Sequence, residues 1–143
     1  MRLKSFKVLY ADDEEVLREM MDTIIGEEVE ELFLAKDGKE AYEIYKEKKP
    51  DILLIDINMP YMRGIELVKK IRENDCTVRI IMITASSDIE NLLTATELKL
   101  TKYLVKPFLS TELFEALHLA VTELSNYLEK TSSNDKKVCL GFS

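Results

Sequence analysis

Four short stretches, residues 8–11, 52–55, 78–83 and 103–105, are apolar almost without alternation, Arg79 being the exception. A strand with one wet face alternates apolar and polar residues. A strand that is apolar throughout has to be covered on both faces, and a parallel sheet flanked by helices does that. A fifth candidate strand, residues 32–35, lies between the first two. Between these runs the apolar residues recur at helical spacing: Val16, Leu17, Met20, Met21, Ile24 and Ile25 form one stripe. The same holds for Ala41, Ile44 and Tyr45 within 41–47, for Leu67, Val68 and Ile71 within 64–73, and for Ile89, Leu92 and Leu93 within 88–98. A last helix from Thr111 to about residue 129 puts Leu113, Leu117, Ala120, Val121, Leu124 and Leu128 on one side. Strand ends near Asp12, Lys36, Asp56, Thr84 and Lys106 are spaced by 24, 20, 28 and 22 residues, each interval holding one strand and one crossover helix. The expected fold is α/β, a doubly wound, five-stranded parallel sheet.

A chain of 143 residues fits one such domain, because two independent cores would each be small for self-sufficient stability. Residues 130–137 contain no apolar side chain and read as a solvated linker, so the domain is expected to span 1–129. Residues 138–143 turn apolar again, as the start of a further unit would. The net charge of −7 disfavours nucleic-acid binding by this segment. Its excess lies in residues 1–60, with 16 Asp and Glu against 9 Lys and Arg. The start of the chain lacks the apolar core of a signal peptide and no stretch is long enough to cross a bilayer, so a cytoplasmic protein without a membrane partner is expected. Cys76 and Cys139 have no metal-ligand spacing and are expected as a reduced thiol pair. The six methionines are expected to fill gaps in the core, Met20, Met21 and Met82 among them.

Ligands of an open parallel sheet bind beyond the carboxyl ends of its strands, where the winding reverses. The polar residues at those ends are Asp12 and Asp13, Asp56, Thr84 and Lys106. Three carboxylates converging on one edge repel one another unless a cation joins them, and hard oxygen donors suit magnesium. With a metal in place, Asp56 at the end of a central strand can act as a nucleophile toward a phosphoryl group. Lys106 would offer a point charge to one phosphoryl oxygen and Thr84 a hydroxyl to another. Each residue also has an ordinary reading: Asp12 to Glu15 as a helix cap with first-turn acids, Thr84 as a strand residue, Lys106-Pro107 as a loop dipeptide. Convergence of several strand ends on one edge favours the chemical reading.

Asp12-Asp13, Asp56-Ile57-Asn58-Met59-Pro60 followed by Gly64, Thr84-Ala85-Ser86 and Tyr103-Leu104-Val105-Lys106-Pro107 occur in order at these ends. In these motifs, from residue 5 to about 129, the chain resembles a response-regulator receiver domain of the CheY type. The resemblance implies the strand order 2-1-3-4-5 and phosphorylation of Asp56 from the phosphohistidine of a sensor histidine kinase. It implies a Mg2+ ion held directly by Asp13 and Asp56, by Asp12 largely through water, and by the backbone carbonyl of Asn58. It further implies a switch pair, Thr84 and Tyr103, a phosphate contact from Lys106, and a cis bond before Pro107.

Such a domain accepts a phosphoryl group and assists its own phosphorylation and dephosphorylation; it is not an enzyme with a separate substrate. An aspartate-nucleophile phosphatase wants a second acid two residues past its nucleophile, and Asn58 stands there. A receiver-like module that binds partners unphosphorylated is disfavoured because every expected position holds a competent residue. The stretch 138–143 resembles the junction to a winged-helix DNA-binding domain of the OmpR type. That likeness implies a transcriptional regulator whose phosphorylation strengthens a homodimer through the helix 88–98, the strand 103–105 and the last helix. A stand-alone chemotaxis-type regulator is the alternative. Small polar Asn58 and Ser86 should shield the phosphate little from water. Lys99-Leu100 replace the Gly-Ala pair usual in the family, which puts a side chain where glycine ends a helix in the left-handed conformation.

Overall fold

The computed structural model describes residues 2–85 and 97–130. The predicted helix 88–98 falls outside them apart from its last two residues, as do Ser86 and the segment 131–143. After a 3-10 turn, Leu3–Ser5, the order is β1 (Lys7–Ala11), α1 (Glu15–Ile25), β2 (Glu31–Ala35), α2 (Gly38–Lys48), β3 (Ile52–Asp56), α3 (Gly64–Arg72), β4 (Arg79–Thr84), β5 (Lys102–Val105) and α4 (Ser110–Lys130). All five strands pair in parallel, in the order β2-β1-β3-β4-β5. The fold and order are those expected.

The apolar runs of β1, β3 and β4 are explained by coverage on both faces, whereas the run 103–105 is not so covered, because β5 is an edge strand and Val105 is 42% exposed. Val8 and Tyr10 of β1, Ile52 and Leu54 of β3, and Ile81 and Ile83 of β4 pack with Met21, Ile25, Leu113 and Leu117 of α1 and α4. The alternate residues Leu9 and Ala11, Leu53 and Ile55, Ile80 and Met82 face Ala41, Leu67, Val68 and Ile71 of α2 and α3. Every residue of β3 is buried, whereas β2 and β5 at the sheet's edges are partly exposed. Burying each large apolar side chain in these layers contributes about 1.5–3 kcal/mol.

Several local features differ from the sequence reading. Helix α2 begins at Gly38, before the expected residue 41, because the Asp37 carboxylate accepts the Glu40 N–H at 2.8 Å and caps it. In α1 only Met21 and Ile25 of the apolar stripe are buried; Met20 is 51% and Val16 65% exposed, since the helix turns that flank away from the sheet. Met20 is therefore not core filling, although Met21 and Met82 are. Cys76 is disulfide-bonded, against the expected reduced thiol, and Cys139 lies outside the described residues. Arg72, charged and at the end of α3, is completely buried. Its Nε donates to the Leu98 carbonyl at 2.9 Å, Nη1 to that of Asp75 at 3.0 Å and Nη2 to that of Lys99 at 3.1 Å. Burial, with the like charge of Arg79, pulls its pKa down to about 10. Lys99 takes the left-handed conformation itself, φ 56°, so the turn keeps the shape that glycine favours. No helix among the described residues is long and apolar enough to cross a membrane.

Candidate functional site

The chain leaves β1 toward β2 on one side and later returns to β3 on the other, so the carboxyl ends of β1 and β3 open a crevice between diverging connections. The ladder continues past the strand ends: Asp12 N donates to the Ala35 carbonyl at 3.0 Å, Ile57 N to that of Ile83 at 2.9 Å, and Lys106 N to that of Thr84 at 2.7 Å. These bonds fix the backbone that carries each polar side chain. Behind Asp56 the loop folds back so that Gly64 N donates to the Ile57 carbonyl at 2.9 Å. A Cβ on Gly64 would lie 2.5 Å from the Asp56 carbonyl oxygen and 2.9 Å from Ile57 Cα, so only glycine admits that approach.

Carboxylate oxygens of Asp12, Asp13 and Asp56 all lie within 4.8 Å of one another. Asp12 and Asp56 are buried and Asp13 is exposed, which gives the cluster an open side. Lys106 reaches over from the end of β5: its Nζ donates to Asp12 Oδ2 at 3.1 Å and to Asp56 Oδ2 at 3.2 Å. Asp56 Oδ1 accepts the Asn58 N–H at 3.2 Å. Burial pushes the Asp56 pKa up and the neighbouring charge of Asp12 adds to this, against the opposing pull of Lys106. Burial acts to lower the Lys106 pKa, but Asp56 and Asp12 outweigh it and raise it. The arrangement offers a basic, partly dehydrated carboxylate, hard oxygen donors for a dication, and one mobile cation.

Of the residues singled out in the sequence, Asp12, Asp13, Asp56 and Lys106 thus meet at one point, and Asn58 touches Asp56 through its backbone. Thr84, 4% exposed, ends β4 beside them and pairs with Val105 in the sheet. Tyr103 is half-buried opposite Met82 and packs on the α2 and α3 side. The bond between Lys106 and Pro107 is cis, as expected. His118 is exposed on α4. Asp12 does not cap α1: the N-cap is Glu14, which makes no side-chain cap bond, and Asp12 Oδ1 accepts the Glu14 N–H at 2.9 Å in the turn ahead of the helix.

One participant escaped the sequence reading. Tyr10 donates its phenolic O–H to Asp12 Oδ2 at 2.6 Å in the interior. The available signal was its place two residues before Asp12, on the same face of the strand. Burial, then Asp12 as hydrogen-bond partner and neighbouring charge, raises the Tyr10 pKa far enough to keep the phenol protonated.

Comparison with known proteins agrees with this geometry. The pattern of the response regulator receiver domain matches residues 8–118. The chain is 36% identical over 116 residues to a chemotaxis protein CheY of Halobacterium salinarum, covering 81% of this chain and 97% of that one. It is 31% identical over 143 residues to a probable transcriptional regulator, ycf27, of Cyanophora paradoxa, spanning 99% of this chain but 59% of the relative. Among solved structures, a receiver domain of the Francisella response regulator 1452 superposes with a TM-score of 0.76 at 30% identity, covering 83% of this chain and 98% of that one. Chemotaxis protein CheY4 of Vibrio cholerae gives 0.74 at 31% identity, with 80% and 97% covered. The buried acidic crevice, the bridging lysine and these matches lead to one family: the chain belongs to the response regulator receiver domains of two-component systems.

Proposed function

We propose that the chain is a Mg2+-dependent phosphoryl switch in which Asp56 accepts a phosphoryl group from the phosphohistidine of a sensor histidine kinase. The observation that carries this reading is Lys106 Nζ bridging Asp12 Oδ2 and Asp56 Oδ2 over a cluster whose three carboxylates lie within 4.8 Å. The donor set fits a hard dication, since it consists of carboxylate oxygens with one exposed member and an accessible backbone beyond Asp56. Asp13 and Asp56 would hold the ion directly, Asp12 through water and Asn58 by its carbonyl; when bound, the ion would offset negative charge on the phosphoryl oxygens.

An oxygen of the Asp56 carboxylate forms the new bond to phosphorus as the bond to the donor's imidazole nitrogen breaks, and the imidazole departs with that electron pair. Burial makes Asp56 more basic than an ordinary aspartate, which favours attack. The Asn58 N–H and Lys106 orient it, and Lys106 then turns its charge to a phosphoryl oxygen. Thr84 places its hydroxyl at a second oxygen, and Tyr103 follows that movement inward as the other half of the switch. Exposed Asn58 leaves the acyl phosphate open to water.

The domain would comprise 1–129 and act in the cytoplasm. Its output is transcriptional, through a DNA-binding domain joined by the linker from residue 130; the chain spans about three-fifths of the ycf27 relative, a probable transcriptional regulator. Phosphorylation strengthens a homodimer through the segment 88–98, β5 and α4. A chemotaxis-type single-domain switch is the second reading, supported by the near-complete coverage of the Halobacterium protein. Acetyl phosphate or beryllofluoride with Mg2+ tests the site: wild type should react or bind and Asp56→Asn should not, and an inert wild type refutes the proposal. Sedimentation with and without beryllofluoride tests the dimer, which fails if the mass is unchanged at high concentration.

A further inference from the structure

Asp12 is completely buried and its carboxylate accepts three hydrogen bonds: from Glu14 N at its Oδ1, and from Tyr10 Oη and Lys106 Nζ at its Oδ2. Only one of these donors has a second claim on it. Lys106 also binds Asp56 Oδ2, and in the phosphoryl-acceptor reading it must follow the charge that arrives on Asp56. Leaving Asp12 then strips a buried carboxylate of a cation, which is costly unless another donor stays behind. We infer that the Tyr10 hydroxyl is that donor: a positioning group that holds Asp12 Oδ2 and so releases Lys106 to the phosphoryl group.

The geometry suits this role. Tyr10 lies on β1, two residues before Asp12, with its ring fixed in the core between the sheet, α1 and α4, so it cannot follow Lys106 away. Its hydroxyl makes a short, charge-assisted bond of 2.6 Å. An aliphatic residue would fill the strand position equally well; the hydroxyl serves Asp12. Without it, Lys106 is the only side-chain donor to the Asp12 carboxylate among the described residues and is held in its resting place.

This inference rests on the phosphoryl-acceptor reading, and the experiment separates the two. Beryllofluoride affinity at saturating Mg2+, and Mg2+ affinity alone, are measured by calorimetry for wild type, Tyr10→Phe, Lys106→Met and the double variant. Tyr10→Phe should bind beryllofluoride about tenfold more weakly than wild type, a larger change than it makes in Mg2+ affinity. In the Lys106→Met background the same substitution should change beryllofluoride affinity by less than about twofold, because the group it acts through is gone. Equal losses in both backgrounds would make Tyr10 merely structural and overturn the inference, as would no loss in the single variant. A wild type that binds no beryllofluoride overturns the phosphoryl-acceptor reading and this inference with it. If Tyr10→Phe does not fold, a crystal structure of the wild type with Mg2+ and beryllofluoride decides. Tyr10 Oη should remain on Asp12 while Lys106 Nζ has left it, and the reverse overturns the inference.

Discussion

Replacing Lys106 by methionine removes the cation from between two buried carboxylates while keeping most of the side chain's length. At 3.1 and 3.2 Å each contact carries a gross attraction of about 5 kcal/mol at an effective dielectric constant of 20. Desolvation offsets much of this in the intact protein, but the variant keeps the buried carboxylates and loses their partner. Breaking a buried pair in this way costs about 3–5 kcal/mol. The Lys106 side chain is 22% exposed, and Asp12 retains Tyr10 and the Glu14 N–H, so about 3 kcal/mol near neutral pH is expected. The pH dependence follows from Asp56, whose pKa is already raised by burial and by Asp12 against the pull of Lys106. Without Lys106 it rises further. A carboxylate with a raised folded pKa costs stability while ionised, and the cost disappears as pH falls through that pKa. The deficit should therefore shrink on acidification. The raised pKa of Lys106 itself gives the wild type stability that is complete below the ordinary 10.5 and is lost as pH rises through the folded value, so the deficit also narrows in alkali. Urea unfolding followed by circular dichroism, across pH and with and without Mg2+, measures this; Mg2+ should restore most of the loss. A variant within about 0.5 kcal/mol of wild type at neutral pH, or a deficit unchanged in acid, would refute the reasoning.

Gly64→Ala should destabilise by about 2 kcal/mol or more, because the added Cβ meets backbone atoms of Asp56 and Ile57 that cannot yield without moving the acceptor loop; an unchanged melting temperature excludes that close approach. Lys99→Gly should stabilise by about 0.5 kcal/mol by relieving the φ of 56°, partly offset by chain entropy, and a lowered urea midpoint counts against it. Asp13→Ala should weaken Mg2+ binding by about tenfold or more while raising the stability of the metal-free protein. Titration followed by tyrosine fluorescence checks this, and unchanged affinity removes Asp13 from the ligand set.

The sheet was legible because burial on both faces leaves a mark that a short segment cannot hide: β1, β3 and β4 are apolar at consecutive positions, and so read as covered strands before any pairing is known. The acidic crevice was legible for a related reason. Asp12 and Asp56 stand at the ends of such strands and Lys106 at the end of the edge strand β5, and a parallel sheet brings all its carboxyl ends to one edge. Contacts that depend on distant partners left weaker marks. Arg72 reads as a solvated helix residue until its three carbonyl acceptors are in place, two of them more than twenty-five residues away. The stripe on α1 predicts a helix but not its rotation, which the neighbouring elements set, and so it did not foretell that Val16 and Met20 face outward. Tyr10 looks like core because its ring is core. Only the position of the Asp12 carboxylate gives its hydroxyl a purpose.

The guanidinium of Arg72 also bears on the order in which the chain assembles. Its bonds to Leu98 and Lys99 close loops of 26 and 27 residues, and β4 lies within the enclosed chain. Closing such loops is entropically unfavourable until the intervening strand has folded back beside β3, so these bonds form after the β3–β4 pairing. Interactions made late act on the rate of opening more than on the rate of closing. Losing the Arg72 clamp should therefore steepen nothing in the refolding arm of a chevron and lift the unfolding arm, making this buried cation a determinant of how long the native state persists.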